Sequence, residues 1–119
     1  MGVDISIKKL SIRNIKITLQ LWDLVGDERF RFLLPTYGRG TSGGVFIYDI
    51  TKESSFNNID EWINLFQRNQ SHEGKYVPLV LVGGKLDLQD LRRIKKNDAI
   101  SALKRFNFIK HIEIGRAHV

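Results

Sequence analysis

Residues 44–50, Gly-Val-Phe-Ile-Tyr-Asp-Ile, form an apolar run that a single carboxylate interrupts near its end. Residues 77–82, Val-Pro-Leu-Val-Leu-Val, form a second run of the same kind. Unbroken apolar runs are typical of parallel strands that helices cover on both faces. Pro78 lacks a backbone donor and therefore belongs near the start of its strand. The two runs predict an α/β domain with a mostly parallel sheet, in which ligands bind at the carboxyl ends of the strands.

The segments beside these strands show helical periodicity. Between the two runs, apolar residues recur at helical spacing and predict a helix, whose start Ser54 or Ser55 can cap. These apolar residues are Phe56, Ile59, Ile63 and Phe66. The pattern predicts a second helix from about Lys96 to Phe106, and a further strand that begins within residues 108–112.

The first part of the chain alternates apolar and polar residues, which predicts half-buried strands. Residues 3–7 alternate, and residues 15–22 alternate more strictly. Arg13 and Asn14 separate the two runs, so we predict an antiparallel hairpin with a short polar turn. Each strand keeps one polar face, and the hairpin should therefore lie at the side of the sheet.

The composition is that of an ordinary globular domain. The 119 residues suffice for one domain, with 42% hydrophobic and 27% charged residues. No apolar run is long enough to cross a bilayer as a helix. The lack of cysteine excludes disulfides, thiolate metal sites and a prenylated cysteine within these residues. The three histidines, His72, His111 and His118, are isolated and show no metal-ligand spacing.

The net charge of +6 admits two interpretations. One is a solvated basic surface, and the other is attraction to phosphates, nucleic acid or anionic lipid. The lysines and arginines are scattered, without a basic stripe that contains aromatic residues. We therefore favour the solvated surface and expect no nucleic-acid partner.

Two motifs follow predicted strands. In residues 22–30, Trp-Asp-Leu-Val-Gly-Asp-Glu-Arg-Phe, the carboxylate of Asp23 can hold magnesium through water. Gly26 has no side chain, so its backbone N–H can approach a phosphate closely. For this motif alone, an ordinary turn after a strand is the favoured interpretation, so the motif is a weak signal by itself.

The second motif is Gly83-Gly84-Lys85-Leu86-Asp87. A carboxylate at Asp87 can accept two hydrogen bonds from guanine, from N1–H and from the exocyclic amine, a donor pair that adenine lacks. Lys85 can lay its aliphatic stem over the plane of the base. The alternative is a turn in which both side chains are merely solvated.

Three stretches together resemble the Rab branch of the Ras-superfamily small GTPases. Residues 22–40 resemble the switch II region, whose usual form is WDTAGQERF. Residues 43–63 resemble the following strand and helix of Rab proteins, where YDIT ahead of a Ser-Phe helix start is typical. Residues 81–88 resemble the guanine-specificity motif N-K-x-D. The match runs from about Gly2 to Ile112 in the family's order and spacing, and the combination is highly specific.

The resemblance implies a three-layer P-loop GTPase (Ras-like) fold, an α/β fold with a mostly parallel sheet and one antiparallel edge hairpin. We predict that the fold is incomplete, without the family's first strand, phosphate-binding loop and C-terminal elements, since no G-x-x-x-x-G-K-[ST] occurs. Residues 1–112 are assigned to a partial small GTPase domain. Residues 113–119 can be encoded by the opening of a common sequencing adapter, so we interpret them as a non-native tail. The family's base-supporting loop would lie beyond Ile112.

The resemblance also implies roles for individual residues. The implied nucleotide-binding residues are Asp23, Gly26, Gly84, Lys85 and Asp87. Among them, Asp23 would hold magnesium through water, and Gly26 would contact the γ-phosphate. Asp27 takes the position of the catalytic residue. The implied partner surface, which orders around the γ-phosphate, consists of Arg29, Phe30 and Tyr37.

The implied function is that of a small GTP-binding protein, a molecular switch coupled to GTP hydrolysis, with magnesium as the cofactor of GTP or GDP. The implied partners are effectors, exchange factors and GTPase-activating proteins. The implied location is cytoplasmic, at the cytoplasmic face of membranes for the full-length protein.

Several features depart from the family pattern. Asp27 stands where a glutamine usually orients the attacking water, so we expect slower or differently assisted hydrolysis in the full-length protein. Gly84 replaces an asparagine that contacts the base, which should weaken guanine binding or its specificity. Without a phosphate loop, and with apolar strand edges unpaired, this chain alone is expected to fold poorly, to bind GTP weakly and to be inactive. The alternative function is a GTPase-like interaction module with little or no hydrolysis.

Overall fold

The computed structural model describes residues 3–24, 41–67 and 77–116, and only the backbone of residues 3, 4 and 22–24 is described. The strands are β1 (Val3–Ile12), β2 (Ile15–Leu24), β3 (Gly44–Asp49), β4 (Leu79–Gly84) and β5 (Lys110–Glu113), and the helices are α1 (Ile59–Gln67) and α2 (Lys96–Arg105). Short 3-10 turns span Glu53–Ser55 and Leu86–Leu91. No helix within these ranges has the length and apolar character needed to cross a membrane.

Strands β3, β4 and β5 form a parallel three-stranded sheet with β4 in the centre. Val80 in β4 pairs with Val45 on one side and with Lys110 on the other. Pro78 immediately precedes β4, and its carbonyl accepts a hydrogen bond from the backbone N of Gly44 at 3.0 Å. The predicted parallel arrangement is confirmed, and Pro78 lies where its missing donor removes no bond from the strand ladder.

Both helices pack against the same face of this sheet and close one core. The buried residues of this core are Tyr48, Ile50, Ile59, Ile63, Leu79, Leu81, Ile94, Ala99, Ala102 and Phe108. Side chains alternate along a strand, so Val45 and Ile47 point to the other face, where 62% and 65% of their surfaces are exposed. The described residues therefore provide the sheet and one helical layer of the predicted three-layer fold.

Strands β1 and β2 form the predicted antiparallel hairpin, which is a two-stranded sheet of its own. Arg13 and Asn14 form the turn with φ values of 51° and 66°. Two consecutive residues with positive φ are typical of the type I′ turn, whose twist matches that of a hairpin. The short polar turn predicted at these two residues is confirmed.

The hairpin carries apolar residues on both of its faces. Ile7 is opposite Gln20, and Lys8 is opposite Leu19. Directly opposed residues in an antiparallel pair share a face, so Ile7 and Leu19 point in opposite directions.

Near the turn, Leu10 is opposite Ile17 and Ile12 is opposite Ile15, so the apolar residues of both strands share a face there. The polar face predicted for β1 is therefore interrupted, because Leu10 and Ile12 lie on the same side as Lys8. The hairpin therefore presents apolar side chains on both sides.

The predicted serine cap of the first helix was wrong, and of the four predicted apolar residues Ile59, Ile63 and Phe66 lie in the helix whereas Phe56 precedes it. Helix α1 begins at Ile59, after the 3-10 turn, and buries Ile59 and Ile63. Oγ of Ser55 instead accepts a hydrogen bond from the backbone N of Asp49 at 2.9 Å and donates to the carbonyl of Lys52 at 2.7 Å. The hydroxyl thus satisfies backbone groups at the end of β3 rather than at the start of the helix.

Candidate nucleotide-binding site

The carboxyl ends of β3 and β4 meet at one edge of the parallel sheet, where Asp49 pairs with Gly84. The chain turns at Lys85, whose φ of 66° and ψ of 37° lie in the left-handed region. Residues other than glycine rarely adopt this conformation, and they keep it only where the surrounding structure holds them. The 3-10 turn that contains Asp87 follows directly, so both predicted base-binding side chains come immediately after β4.

Lys85 and Asp49 form an ion pair across the ends of the two strands. Nζ of Lys85 lies 3.0 Å from Oδ2 of Asp49, with 53% of the lysine side chain and 14% of the aspartate side chain exposed. Oδ1 of Asp49 accepts hydrogen bonds from the backbone N and Oγ1 of Thr51, at 2.8 and 2.6 Å. Each carboxylate oxygen therefore has a defined partner.

These contacts decide the protonation of Asp49. Burial acts to raise the pKa of Asp49, but the hydrogen bonds from Thr51 and the charge and hydrogen bond of Lys85 outweigh it and lower the pKa to about 2. The carboxylate is therefore ionised at neutral pH.

We expect Asp49 to contribute to the loss of stability in acid. Its pKa is about 2 in the folded protein against an ordinary value of 3.8, so its contribution is present above about pH 4 and is lost as the pH falls toward 2. The contribution is up to about 2 kcal/mol in the free energy of unfolding. Urea unfolding of the unmodified protein and of Asp49→Asn should differ at about pH 6 and converge by about pH 2.

The control for this measurement is Asp90→Asn, which alters an exposed carboxylate in the 3-10 turn after β4. It should leave the pH dependence unchanged. A difference between Asp49→Asn and the unmodified protein that stays constant over the whole interval would contradict the assignment.

Asp87 is exposed, and the residues that follow β5 lie against it. Its Oδ1 accepts a hydrogen bond from the backbone N of Arg116 at 3.0 Å. The backbone N of Leu86 donates to the carbonyl of Ile114 at 2.9 Å. A Cβ at Gly115 would lie 3.1 Å from the backbone N of Asp87, so a glycine permits this close approach. Residues 114–116 thus occupy the region beyond Ile112 to which the resemblance assigns the base-supporting loop.

Gly84 carries no side chain toward a nucleotide, and the packing of the sheet does not demand a glycine there. A Cβ at Gly84 would lie 3.4 Å from the carbonyl oxygen of Tyr48 and 3.8 Å from Cγ2 of Ile47. These are close to ordinary contact distances. The departure from the family's asparagine therefore has no explanation in the core.

A polar cluster that the sequence did not reveal joins β3, β5 and the residue that follows the second 3-10 turn. Oη of Tyr48 and Nε2 of His111 share a hydrogen bond of 2.9 Å. The guanidinium of Arg92 donates to both carboxylate oxygens of Glu113, at 2.8 and 2.9 Å. Burial raises the pKa of Tyr48 to about 12 and lowers the pKa of His111, whereas the hydrogen bond from Arg92 lowers the pKa of Glu113.

Glu113 also bears on the predicted domain boundary, because it is the last residue of β5. The next residue, Ile114, donates its backbone N–H to the carbonyl of Gly83 at 2.8 Å. The interpretation of residues 113–119 as a non-native tail stays a prediction.

Of the other predicted site residues, Asp23 is the next-to-last residue of β2, where its backbone pairs with that of Asp4. The remaining ones lie outside the described residues, and their roles stay predictions. They are Gly26, Asp27, Arg29, Phe30 and Tyr37. Within the described ranges, no three His, Cys, Asp or Glu side chains come together in a way that could hold a metal ion.

Comparison with known proteins identifies the family to which this chain belongs. The model of the Ras family matches residues 1–118, and the chain belongs to the Ras family. The resemblance to its Rab-like members is confirmed by relatives with Rab and Ypt names.

Three of these relatives illustrate the extent of the match. The GTP-binding protein yptV2 of Volvox carteri is 40% identical over 94 residues, 79% of this chain and 42% of that protein. The Ras-related protein Rab-13 of Canis lupus familiaris is 38% identical over 100 residues, 84% of this chain and 48% of that protein. The GTP-binding protein ypt3 of Schizosaccharomyces pombe is 36% identical over 99 residues, 83% of this chain and 45% of that protein. The chain thus spans less than half the length of these relatives.

Proposed function

We propose that these residues belong to a small GTP-binding protein that acts as a switch of the Rab type and is coupled to GTP hydrolysis. The support is membership of the Ras family together with two relatives that are named GTP-binding proteins. Because the chain spans 42% to 48% of the length of the three relatives above, the activity is proposed for a longer protein that contains it.

Base recognition is the part of this function that the described residues support best. The observation that carries it is the turn after β4, where the exposed Asp87 follows a lysine whose ammonium is already paired. An ionised carboxylate that accepts from two parallel donors forms a strong and directional contact. Guanine offers such a donor pair, and adenine does not. We propose Asp87 as the acceptor, Lys85 as the cover of the base plane and Gly84 as the backbone beside it.

For the phosphate end, we propose that Asp23 holds magnesium through water and that Gly26 contacts the γ-phosphate. A carboxylate at the end of β2 is of the ligand type that magnesium prefers. When bound, the ion supplies positive charge against the charge that develops on the phosphates. Asp27 would orient the attacking water, but it is shorter than glutamine and negatively charged, so hydrolysis is proposed to be slow.

We propose a partner surface at Arg29, Phe30 and Tyr37 for effectors, exchange factors and GTPase-activating proteins. Its order would depend on the γ-phosphate, as in other nucleotide-dependent switches. The proposed location is cytoplasmic, at the cytoplasmic face of membranes.

The experiment that tests base recognition compares GDP with ADP on this chain. Titrations followed by the NMR shifts of the amides of residues 84–87 should show weak binding of GDP, because the sequence contains no phosphate loop. ADP should bind at least about tenfold more weakly, and Asp87→Ala should reduce the affinity for GDP to that for ADP. Asp90→Ala, in the same 3-10 turn, should preserve the preference.

Two outcomes would contradict the expectations. Equal affinity for GDP and ADP would show that the turn after β4 does not recognise guanine. Micromolar affinity for GTP would show that this chain binds GTP tightly without a phosphate loop, contrary to the expectation. Single-turnover hydrolysis by a longer protein that contains this chain separates a slow GTPase from an interaction module without hydrolysis.

A further inference from the structure

We propose that Asp49 is a positioning residue for guanine recognition. It holds the ammonium of Lys85, so that the aliphatic stem of the lysine is presented to a base bound at Asp87. This inference rests on the proposed function and adds a residue to the site that the motif at residues 84–87 does not contain.

Asp49 lies at the end of β3, beside the turn that carries Lys85. The parallel register brings it opposite Gly84, immediately before the lysine in the chain. Its own backbone is held as well, since its N–H donates to Oγ of Ser55 at 2.9 Å. Asp49 is therefore a fixed point at the strand ends from which a neighbouring side chain can be held.

The two carboxylate oxygens of Asp49 have different partners. Oδ1 accepts two hydrogen bonds from Thr51, which prevents free rotation of the carboxylate. Oδ2 is thereby directed at Nζ of Lys85, at 3.0 Å. Only 14% of the aspartate side chain is exposed, so water competes less for this contact than at an open surface.

The ion pair with Asp49 orders the side chain of Lys85. A lysine side chain has many rotamers, and ordering them when a ligand binds lowers the affinity. Pairing with Asp49 orders the side chain before any ligand arrives. It also balances the ammonium charge, so that the side chain offers its apolar stem to a base rather than a free cation to an anion.

Gly84 departs from the family pattern, which has an asparagine at this position. The family's asparagine at this position contacts the base and ties neighbouring loops together, and a glycine can do neither. In this chain, the side chain of Lys85 beside the base has to be held by a contact from another element. The described structure shows one such contact, the one from β3.

The test uses the full chain and the probes GMP and AMP at millimolar concentration, at about pH 7, where Asp49 is ionised. Asp49→Asn keeps an oxygen that can accept from Thr51 but loses the negative charge toward Lys85. Titrations monitored at the amides of residues 84–87 should show the dissociation constant for GMP rise about three- to fivefold, with that for AMP unchanged. The NMR signal of the Lys85 ammonium should shift toward that of an exposed lysine in this variant, because its contact with Asp49 is weakened.

A second variant separates positioning from a general effect on the fold. Lys85→Met keeps a long apolar stem and removes the ammonium that Asp49 holds. In the Lys85→Met background, Asp49→Asn should change the affinity for GMP no further. Asp90→Asn is the matched control, because it removes the same charge from an exposed carboxylate nearby.

The outcomes distinguish the two proposals. If the unmodified chain shows no response to GMP, guanine recognition fails and this inference fails with it. If the unmodified chain prefers GMP but Asp49→Asn binds it equally well, only the positioning role is overturned. The same holds if Asp49→Asn weakens GMP binding to the same degree with and without the lysine.

Discussion

Replacing Glu113 by alanine should lower the free energy of unfolding by about 3 kcal/mol, because it removes the carboxylate partner of the Arg92 guanidinium and leaves that charge with the carbonyl of Ile94 as its acceptor. The two side chains form a paired contact at 2.8 and 2.9 Å. Only 20% of the arginine side chain and 8% of the glutamate side chain are exposed. A charge at this depth is poorly solvated, so its loss of a partner is more costly than at an open surface. Urea unfolding at neutral pH measures the effect.

A double replacement identifies the cause. If the cost comes from an unpaired charge, Arg92→Leu combined with Glu113→Leu should be less destabilising than Glu113→Ala alone. Arg116→Ala, three residues later and exposed, should have little effect on stability. Equal stability of the unmodified chain and Glu113→Ala would show that the end of β5 does not contribute to the fold, as expected if the native domain ended at Ile112.

Gly83→Ala should destabilise the protein by about 3 kcal/mol, at the upper end of the range for overpacking a core. A Cβ at this position would lie 2.8 Å from Oη and 2.9 Å from Cζ of Tyr48, and 3.0 Å from Cγ2 of Ile50. These distances are shorter than contact distances between such atoms, and both neighbours are buried, at 2% and 0% exposure. The ring of Tyr48 crosses β4 here to reach His111, so it cannot move without losing that hydrogen bond. Thermal and urea unfolding measure the change.

The chain offers a matched glycine for comparison. A Cβ at Gly43 would meet its nearest atom, the carbonyl oxygen of Pro78, at 3.7 Å, so Gly43→Ala should be nearly neutral. In the background of Tyr48→Leu, which removes the crossing ring, Gly83→Ala should cost clearly less than in the unmodified chain. An equal cost in both backgrounds would assign the requirement for glycine to something other than the tyrosine.

The elements that the sequence predicted correctly are those with a local signal. Strands β3 and β4 are apolar runs in the sequence, and the hairpin is defined by alternation on both sides of Arg13-Asn14. The second helix was predicted from about Lys96 to Phe106 and spans Lys96–Arg105. In each case the residues that determine the element are neighbours in the chain, so periodicity alone reveals them.

The contacts that the sequence did not predict depend on register and on distance along the chain. The pairing of Asp49 with Lys85 exists because the parallel register aligns the ends of two strands, and no periodicity encodes that alignment. Arg92 and Glu113 are 21 residues apart and meet only once β5 has joined the sheet. Ser55 was assigned to the wrong element. A serine near a helix start gives the same sequence signal whether its hydroxyl bonds to the first turn of the helix or to the end of the preceding strand.

In the candidate site, too, the local motif could be predicted from the sequence, whereas the contacts between distant segments could not. The motif at residues 84–87 was visible, because its residue types and spacing follow an apolar strand. Its support from Asp49, and the approach of residues 114–116 to Asp87, could not be seen in the sequence. Both contacts join segments that only the folded sheet brings together.

The two-faced hairpin has a consequence for the order in which the chain assembles. A hairpin with a two-residue turn closes within microseconds, whereas a parallel sheet must first bring together strands that are separated by whole helices. The hairpin therefore forms before the parallel sheet has assembled. Ile7 on one side and Leu19 on the other are then both in contact with water, and covering only one side leaves the other exposed. Until the parallel sheet has assembled, this early element keeps apolar surface in contact with water on at least one side.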